Sequence, residues 1–346
     1  MISREMFLLG SNRSVIREIF EYSKKRAAEI GAENVFDFSI GNPNVPAPEG
    51  VHQAVRELLE SEDDIYLHGY TSAQGDAGVR NAIAENLNQR FGTDFKAENL
   101  YMTCGAAASL KICITALREE GDEFITFTPF FPEYRVFVET AGAKLVPVST
   151  NPDSFQINFE RLDEAINEHT KAVIVNSPNN PSGVVFQEET VKKLAEMLKT
   201  KAHRYGHPIY LIADEPYREL VYDGTEVPYM TKYYANTLVC YSYSKSLSLP
   251  GERIGYILVP DAVDESAMVY AAVCGAGRAL GFVCAPSLFQ HVIERCVGQV
   301  SDLSVYKKNR DLLYNALTEY GYTCIYPDGA FYLFVKALEP DAYAFC

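Results

Sequence analysis

The 346-residue chain has no C-x-x-C pair, and its eight cysteines (104, 113, 240, 274, 284, 296, 324 and 346) are scattered along it. That excludes a disulfide framework or a site of paired zinc-binding cysteines. Thiols inside apolar runs such as Leu238-Val239-Cys240 read instead as reduced and buried. No apolar h-region follows Met1-Ile2-Ser3-Arg4-Glu5, so no secretory signal is expected. No hydrophobic run is long enough for a membrane. The most apolar stretch, residues 268–286, is interrupted by Arg278 and several glycines and falls short of the ~20 clean residues a span requires. Basic residues are in the minority, 31 against 46 acidic, leaving a formal net charge of −15. Such a surface repels phosphate backbones and anionic lipids, which excludes a nucleic-acid partner but not a small phosphate ligand held in one local pocket. Repeats, low-complexity tracts and long Pro/Gly/Ser linkers are also missing. What is there, 47% hydrophobic and 22% charged residues, describes a globular, cytoplasmic chain with a sizeable core and about two domains.

Short β-branched or aromatic runs alternate with segments of helical periodicity. Strands are expected at 100–103, 124–127, 144–148, 172–175, 209–212, 237–241 and 254–259, and helices at 107–117, 133–140 and 188–204. The strand runs are almost continuously apolar rather than alternating, which is how strands covered on both faces read. This predicts an α/β fold with an open, doubly wound and mostly parallel sheet. The flanks differ. Residues 11–30 read as one amphipathic helix capped by Ser11 or Asn12, and 287–320 as largely helical, with strand-like runs at 322–326 and 331–335. A smaller α+β domain built from both chain ends (1–46 and 285–346) around a large domain (47–284) is the expected organisation.

Ligands of open α/β sheets bind at the carboxyl ends of the strands. The expected strands are followed by Cys104-Gly105-Ala106-Ala107, Pro129-Phe130-Phe131-Pro132, Asn176 through Gly183, Asp214-Glu215-Pro216-Tyr217 and Ser242-Tyr243-Ser244-Lys245. The first is a turn of small residues opening a helix, suited to an anion on backbone N–H groups. The others deliver an aromatic ring, an asparagine, a carboxylate with a tyrosine, and a lysine with two serines. Each has a plainer reading: a strand-to-helix turn at Gly105, a β-turn at Asn180-Pro181-Ser182-Gly183, a cap at Asp214, core at Phe131 and Tyr217, a surface amine at Lys245. Their convergence on one sheet edge is what singles them out.

In this order and spacing the segments Asn180-Pro181-Ser182-Gly183, Asp214-Glu215-Pro216-Tyr217, Ser242-Tyr243-Ser244-Lys245 and Pro250-Gly251-Glu252-Arg253-Ile254-Gly255 match a known pattern. The chain resembles the class I/II aminotransferases, fold-type I pyridoxal-phosphate enzymes related to aspartate aminotransferase, from about Phe36 to Tyr332. The resemblance implies the fold and the cofactor, pyridoxal 5'-phosphate. It implies that Lys245 carries the cofactor as a Schiff base and then moves the α-proton, that Asp214 pairs with the ring nitrogen, and that Tyr217 and Asn180 hold the ring's phenolic oxygen. Phe131 stands where an aromatic ring stacks on the cofactor, with Phe in place of the Trp or Tyr of some relatives. Gly105, Ala106, Ala107, Ser242 and Arg253 would form the phosphate cup. Tyr70, in His68-Gly69-Tyr70-Thr71, matches a tyrosine that reaches the neighbouring subunit's phosphate, which implies a homodimer with shared sites. Gly41 matches a loop that closes over the substrate, and Asn180 also touches it. The implied substrates are an L-amino acid and a 2-oxo acid, with aspartate or an aromatic amino acid and 2-oxoglutarate as first trials.

One departure concerns the arginine that grips the substrate carboxylate, which in this family lies beyond the Phe331-Tyr332 strand. Here the sequence stops at Cys346, one turn into a helix starting at Pro340-Asp341, which reads as a chain that continues; Arg278 or Arg310 are the less favoured substitutes. β-Elimination on the same scaffold and a non-catalytic regulatory module are the competing readings, the latter opposed by the intact Lys245 and the acidic charge. A nicotinamide oxidoreductase lacks its G-x-G-x-x-G after the first strand. Gly75-Asp76-Ala77-Gly78 reads as an N-cap by Asp76 rather than a phosphate loop, His203/His207 as a helix end rather than a metal pair, and Lys24-Lys25-Arg26 as a solvated face. Arg278, in its apolar glycine-rich surroundings, reads as buried at a dimer interface.

Overall fold

The computed structural model describes residues 2–11, 15–39 and 41–345. The chain forms two compact units, residues 1–44 and 45–346. In the first, helices α1 (Arg4–Ser11) and α2 (Val15–Ile30) are followed by a single 3-10 turn, Ala32–Asn34. Of the helix expected over 11–30, Ser11 and residues 15–30 are helical, and residues 12–14 lie outside the described residues. The apolar run Met6-Phe7-Leu8-Leu9 lies in α1, where Ser11 donates its hydroxyl to the Phe7 carbonyl at 2.6 Å. Ser11 is thus helical rather than a cap, and Asn12 lies outside the described residues. Lys24, Lys25 and Arg26 are exposed, with Arg26 paired to Glu29 one turn on.

The second unit opens with helices α3 (Glu49–Ser61), α4 (Asp64–His68) and α5 (Ala77–Phe91). Asp76 caps α5, accepting from the Gly78 and Val79 amides at 2.7 and 3.3 Å, as its sequence setting predicts. There follow β1 (Leu100–Thr103), α6 (Ala106–Leu117), β2 (Glu123–Thr128), α7 (Glu133–Glu139) and β3 (Lys144–Ser149). Next come α8 (Phe159–Ala165), β4 (Thr170–Asn176), α9 (Glu188–Tyr205) and β5 (Tyr210–Asp214). β6 (Thr237–Ser242), α10 (Tyr243–Ser246), β7 (Gly255–Leu258), α11 (Ser266–Ala279), α12 (Ser287–Cys296) and α13 (Ser304–Glu319) complete the body. The last elements are β8 (Thr323–Cys324), β9 (Val335–Lys336) and α14 (Ala342–Phe345).

β1 to β7 form one seven-stranded sheet in the order β1-β7-β6-β5-β4-β2-β3. All pairings are parallel except those of β7, which runs antiparallel to both β1 and β6. The apolar runs have the cause expected of them. Alternate residues enter two separate cores: Val173, Leu211 and Val239 pack with α3, α5, α9 and α12, whereas Ile174, Ile212 and Leu238 pack with α6 and α11. A strand buried on both faces has no polar face to show. Near the C-terminus the expected strands shrink to a two-residue ladder, Thr323–Cys324 against Val335–Lys336. The residues between them are held through side chains and isolated contacts, such as Ala330 N to Leu220 O at 2.7 Å. Among the described residues no helix is long and apolar enough to cross a membrane, and the cysteines described are all free thiols.

Candidate active site

Register brings the polar strand ends level: Asn176 at the end of β4 lies opposite Asp214 at the end of β5, and Asp214 opposite Cys240 in β6. Asn176 then ties the neighbours together. Its Nδ2 donates to the Asp214 carbonyl at 2.8 Å and its Oδ1 accepts from the Asn180 amide at 2.7 Å. The loop from 177 to 183 is further fixed by Asn179, whose Oδ1 accepts from the Ser182 amide at 3.0 Å.

Asp214 is 4% exposed. Tyr134 Oη donates to its Oδ2 at 2.5 Å, while Oδ1 is buried with no hydrogen-bond partner among the described residues. Burial pushes the carboxyl up to about 7, the Tyr134 hydrogen bond restrains it, and neighbouring Glu215 adds to the rise. An orphaned buried carboxylate oxygen costs about 1–3 kcal/mol or more, which a cationic hydrogen-bond donor would recover. Tyr134 also carries Phe131, one turn earlier, edge-to-face at 5.7 Å and 88°.

Tyr217 hydroxyl meets the Tyr332 hydroxyl at 2.6 Å, and the Asn180 side chain lies near enough to lower its proton affinity. Burial, then Tyr332, push it well above the ordinary tyrosine range. Lys245 Nζ lies 5.1 Å from the Phe331 ring centroid and 5.9 Å from that of Tyr217. Burial first and Arg253 second lower its ammonium to about 8, so about a tenth is free amine at pH 7.

Facing the sheet edge, Gly105 precedes α6 with φ of +92°, and a Cβ there would come within 2.9 Å of Arg253 Nη2. A Cβ on Gly255 would lie 2.3 Å from the Tyr241 carbonyl and 3.0 Å from Gly105 Cα. These two glycines let backbone and guanidinium approach as no other residue would. Arg253 itself has φ of +51°, a conformation costing about 1–3 kcal/mol outside glycine. Its Nη1 is anchored on the Pro250 carbonyl at 2.9 Å and reaches the Ser244 hydroxyl at 3.5 Å. The Ser242 and Ser244 hydroxyls are 2.7 Å apart. Ala106 and Ala107 supply the first turn of α6, whose amides have no partner within the helix. Backbone donors, two hydroxyls and a guanidinium thus line an anion cradle.

Gly105, Ser242, Lys245, Arg253, Asn180, Tyr217 and Asp214, expected at the sheet edge, are linked by these contacts. Tyr70 is not among them: it projects from the loop after α4, 99% exposed. Gly41 belongs to the other unit. Tyr134, and Tyr332 and Phe331 as site residues, were not anticipated. Tyr134 had a signal, its three-residue spacing from Phe131 at the start of a helix, whereas Tyr332 lies 115 residues from the partner it touches and had none. The other candidates fall away as expected. α9 ends at Gly206, and His207, beyond it, contacts the Pro208 and Glu168 carbonyls. Arg310 is engaged by Asp223 at 2.6 Å and the Pro327 carbonyl at 3.0 Å. Arg278 is exposed at the end of α11.

Comparison with known proteins bears on this geometry. The family model of aminotransferase class I and II matches residues 33–345. Over 333 residues the chain is 29% identical to a probable aspartate aminotransferase of Methanocaldococcus jannaschii, covering 94% of this chain and 82% of that protein. It is 30% identical to an aspartate/prephenate aminotransferase of Thermus thermophilus, covering 87% and 77%. Its structure superposes on an amino transferase from Eubacterium rectale with a TM-score of 0.98 at 63% identity, covering 100% and 87%. On an aspartate aminotransferase from Thermotoga maritima the TM-score is 0.85 at 28% identity, covering 100% and 88%. With the match running almost from end to end and the fold shared, the chain belongs to the class I and II aminotransferases, enzymes that as a family use pyridoxal phosphate to move amino groups between amino acids and 2-oxo acids.

Proposed function

We propose that this chain binds pyridoxal phosphate covalently through Lys245 and transfers the amino group of an L-amino acid, aspartate first among those to try, to a 2-oxo acid such as 2-oxoglutarate, working as a homodimer. The observation that carries the reading is Asp214 Oδ1, buried without a partner among the described residues, on the strand next to the one that leads to Lys245. The glycine-lined approach of Gly105 to Arg253 supports the phosphate end. These residues fit the group at both ends, one oxygen seeking a cationic N–H and one cradle seeking an anion.

When bound, the cofactor supplies a sink for the electron pair left at the substrate's α-carbon. Asp214 holds negative charge against the ring nitrogen and keeps a proton there. Asn180 and Tyr217 orient the ring through its oxygen, Phe131 covers a face, and Gly105, Ala106, Ala107, Ser242 and Arg253 hold the phosphate. Lys245 Nζ, with its proton affinity lowered to about 8, takes the α-proton as a base and returns it as an acid. Elimination chemistry and a non-catalytic role are not favoured, since the relatives are named as aminotransferases.

Borohydride reduction of the purified protein loaded with pyridoxal phosphate should fix a chromophore on the peptide containing Lys245. Lys245→Ala should lose that label and lower transamination by at least about 10²–10⁴-fold with the fold intact. Turnover retained in that variant would refute the assignment.

A further inference from the structure

Away from the strand ends, Asp76, His291 and Glu294 converge: one carboxylate oxygen from each acid and one ring nitrogen of the histidine lie within 4.8 Å of one another. His291 and Glu294 are three residues apart on α12, so they share a helix face. Asp76 sits at the start of α5, held beside α12 by its own amide, which donates to Gln290 Oε1 at 2.7 Å. Gly78 makes room for the second acid, because a Cβ there would fall 2.5 Å from Glu294 Oε1. Arg295, the next residue on α12, turns instead to Glu57 and Glu62, at 3.4 and 3.2 Å. The acids therefore stand together beside a histidine rather than against an arginine.

The independent observation is the imidazole. His291 is 2% exposed, and its Nε2 is buried with no hydrogen-bond partner among the described residues. Its Nδ1 lies 3.2 Å from Tyr66 Oη, with the two rings stacked at 4.3 Å. When Nδ1 carries the proton and donates to that hydroxyl, Nε2 presents a lone pair. A hydrogen bond at the other ring nitrogen fixes metal-binding histidines in the same way.

We propose that Asp76, His291 and Glu294 form a divalent-cation site, suited to Zn²⁺, that staples α12 to the start of α5. One imidazole nitrogen and two carboxylate oxygens are donors zinc accepts, and three protein ligands leave a fourth position for water. Zinc holds such donors at about 2.0–2.2 Å.

The test is calorimetric titration of the metal-stripped, cofactor-loaded protein with ZnCl₂, followed by thermal melts. The expected result is one saturable site per chain, a raised melting temperature, and an affinity lowered at least tenfold in His291→Gln and in Glu294→Gln. Asp76→Asn keeps a capping side chain while removing a charge, so it reports on the site even where His291→Gln fails to fold. Absence of a saturable site, or an affinity unchanged in Glu294→Gln and Asp76→Asn because cysteines take the metal, would overturn the proposal. The readout is independent of transamination.

Discussion

Asp214 ends β5 and Lys245 lies in α10 just past the end of neighbouring β6, and burial works against the charge on both, raising one to about 7 and lowering the other to about 8. Without a cation against it, the Asp214 carboxyl lies above its unfolded value of 3.8. Its neutral form therefore stabilises the fold below that pH, and the contribution is lost as pH rises through about 7. Once ionised, it costs about 4 kcal/mol. Cofactor-free protein should accordingly lose stability between about pH 4 and 7, and Asp214→Asn, lacking that loss, should be the more stable chain at pH 8 in urea unfolding. Equal stability there would show that Asp214 titrates as an exposed acid. Tyr134→Phe removes the hydrogen bond that restrains the carboxyl and should deepen the loss in the same assay.

At the scale of the element, the loop leaving β5 is held by an ion pair with almost no access to water. Arg218 Nε donates to Glu215 Oε2 at 2.6 Å, its Nη2 to Glu215 Oε1, and the remaining donors to the Val227 and Pro228 carbonyls at 3.0 and 3.1 Å. The guanidinium also lies 4.9 Å from the Tyr229 ring centroid. This clamp carries Tyr217, one residue away, towards Tyr332. Removing one member leaves the other charged and buried, so Arg218→Met should cost about 3–5 kcal/mol in denaturant unfolding. Adding Glu215→Gln should recover part of that, because a neutral amide is cheaper to bury than an unpaired carboxylate. A cost for Arg218→Met below about 1 kcal/mol would mean that the pair is not desolvated in solution.

At the scale of the molecule, Tyr70 is the residue whose proposed partner its own chain does not contain. Almost wholly exposed, it gains nothing from the fold around it. If it reaches the phosphate cradle of a second copy, Tyr70→Ala should lower activity about tenfold or more, the worth of a hydrogen bond to a charged group. Mixing Tyr70→Ala with Lys245→Ala should then restore activity. Each mixed dimer has one site with both residues intact, so random pairing returns about a quarter of the parent rate. No recovery on mixing, with dimers exchanging subunits, would place Tyr70 outside a shared site.

The sequence by itself determined the strands and the chemistry at their ends. Runs such as 172–175 and 237–241 are apolar because both faces are covered, and Asp214, Tyr217, Ser242 and Lys245 are polar where those runs stop. Local hydropathy is enough to read such signals, and the order of the segments carries the family resemblance. It did not determine strand direction, since the run forming β7 is as apolar as its parallel neighbours yet runs antiparallel. Nor did it predict how short β8 and β9 would be. Only the tertiary structure decided that Tyr134 would restrain Asp214, that Tyr332 would meet Tyr217 and that His291 would stand beside Asp76. Those pairs join residues 80, 115 and 215 positions apart, and no periodicity within an element records a contact that only the packing of the sheet and its helices creates.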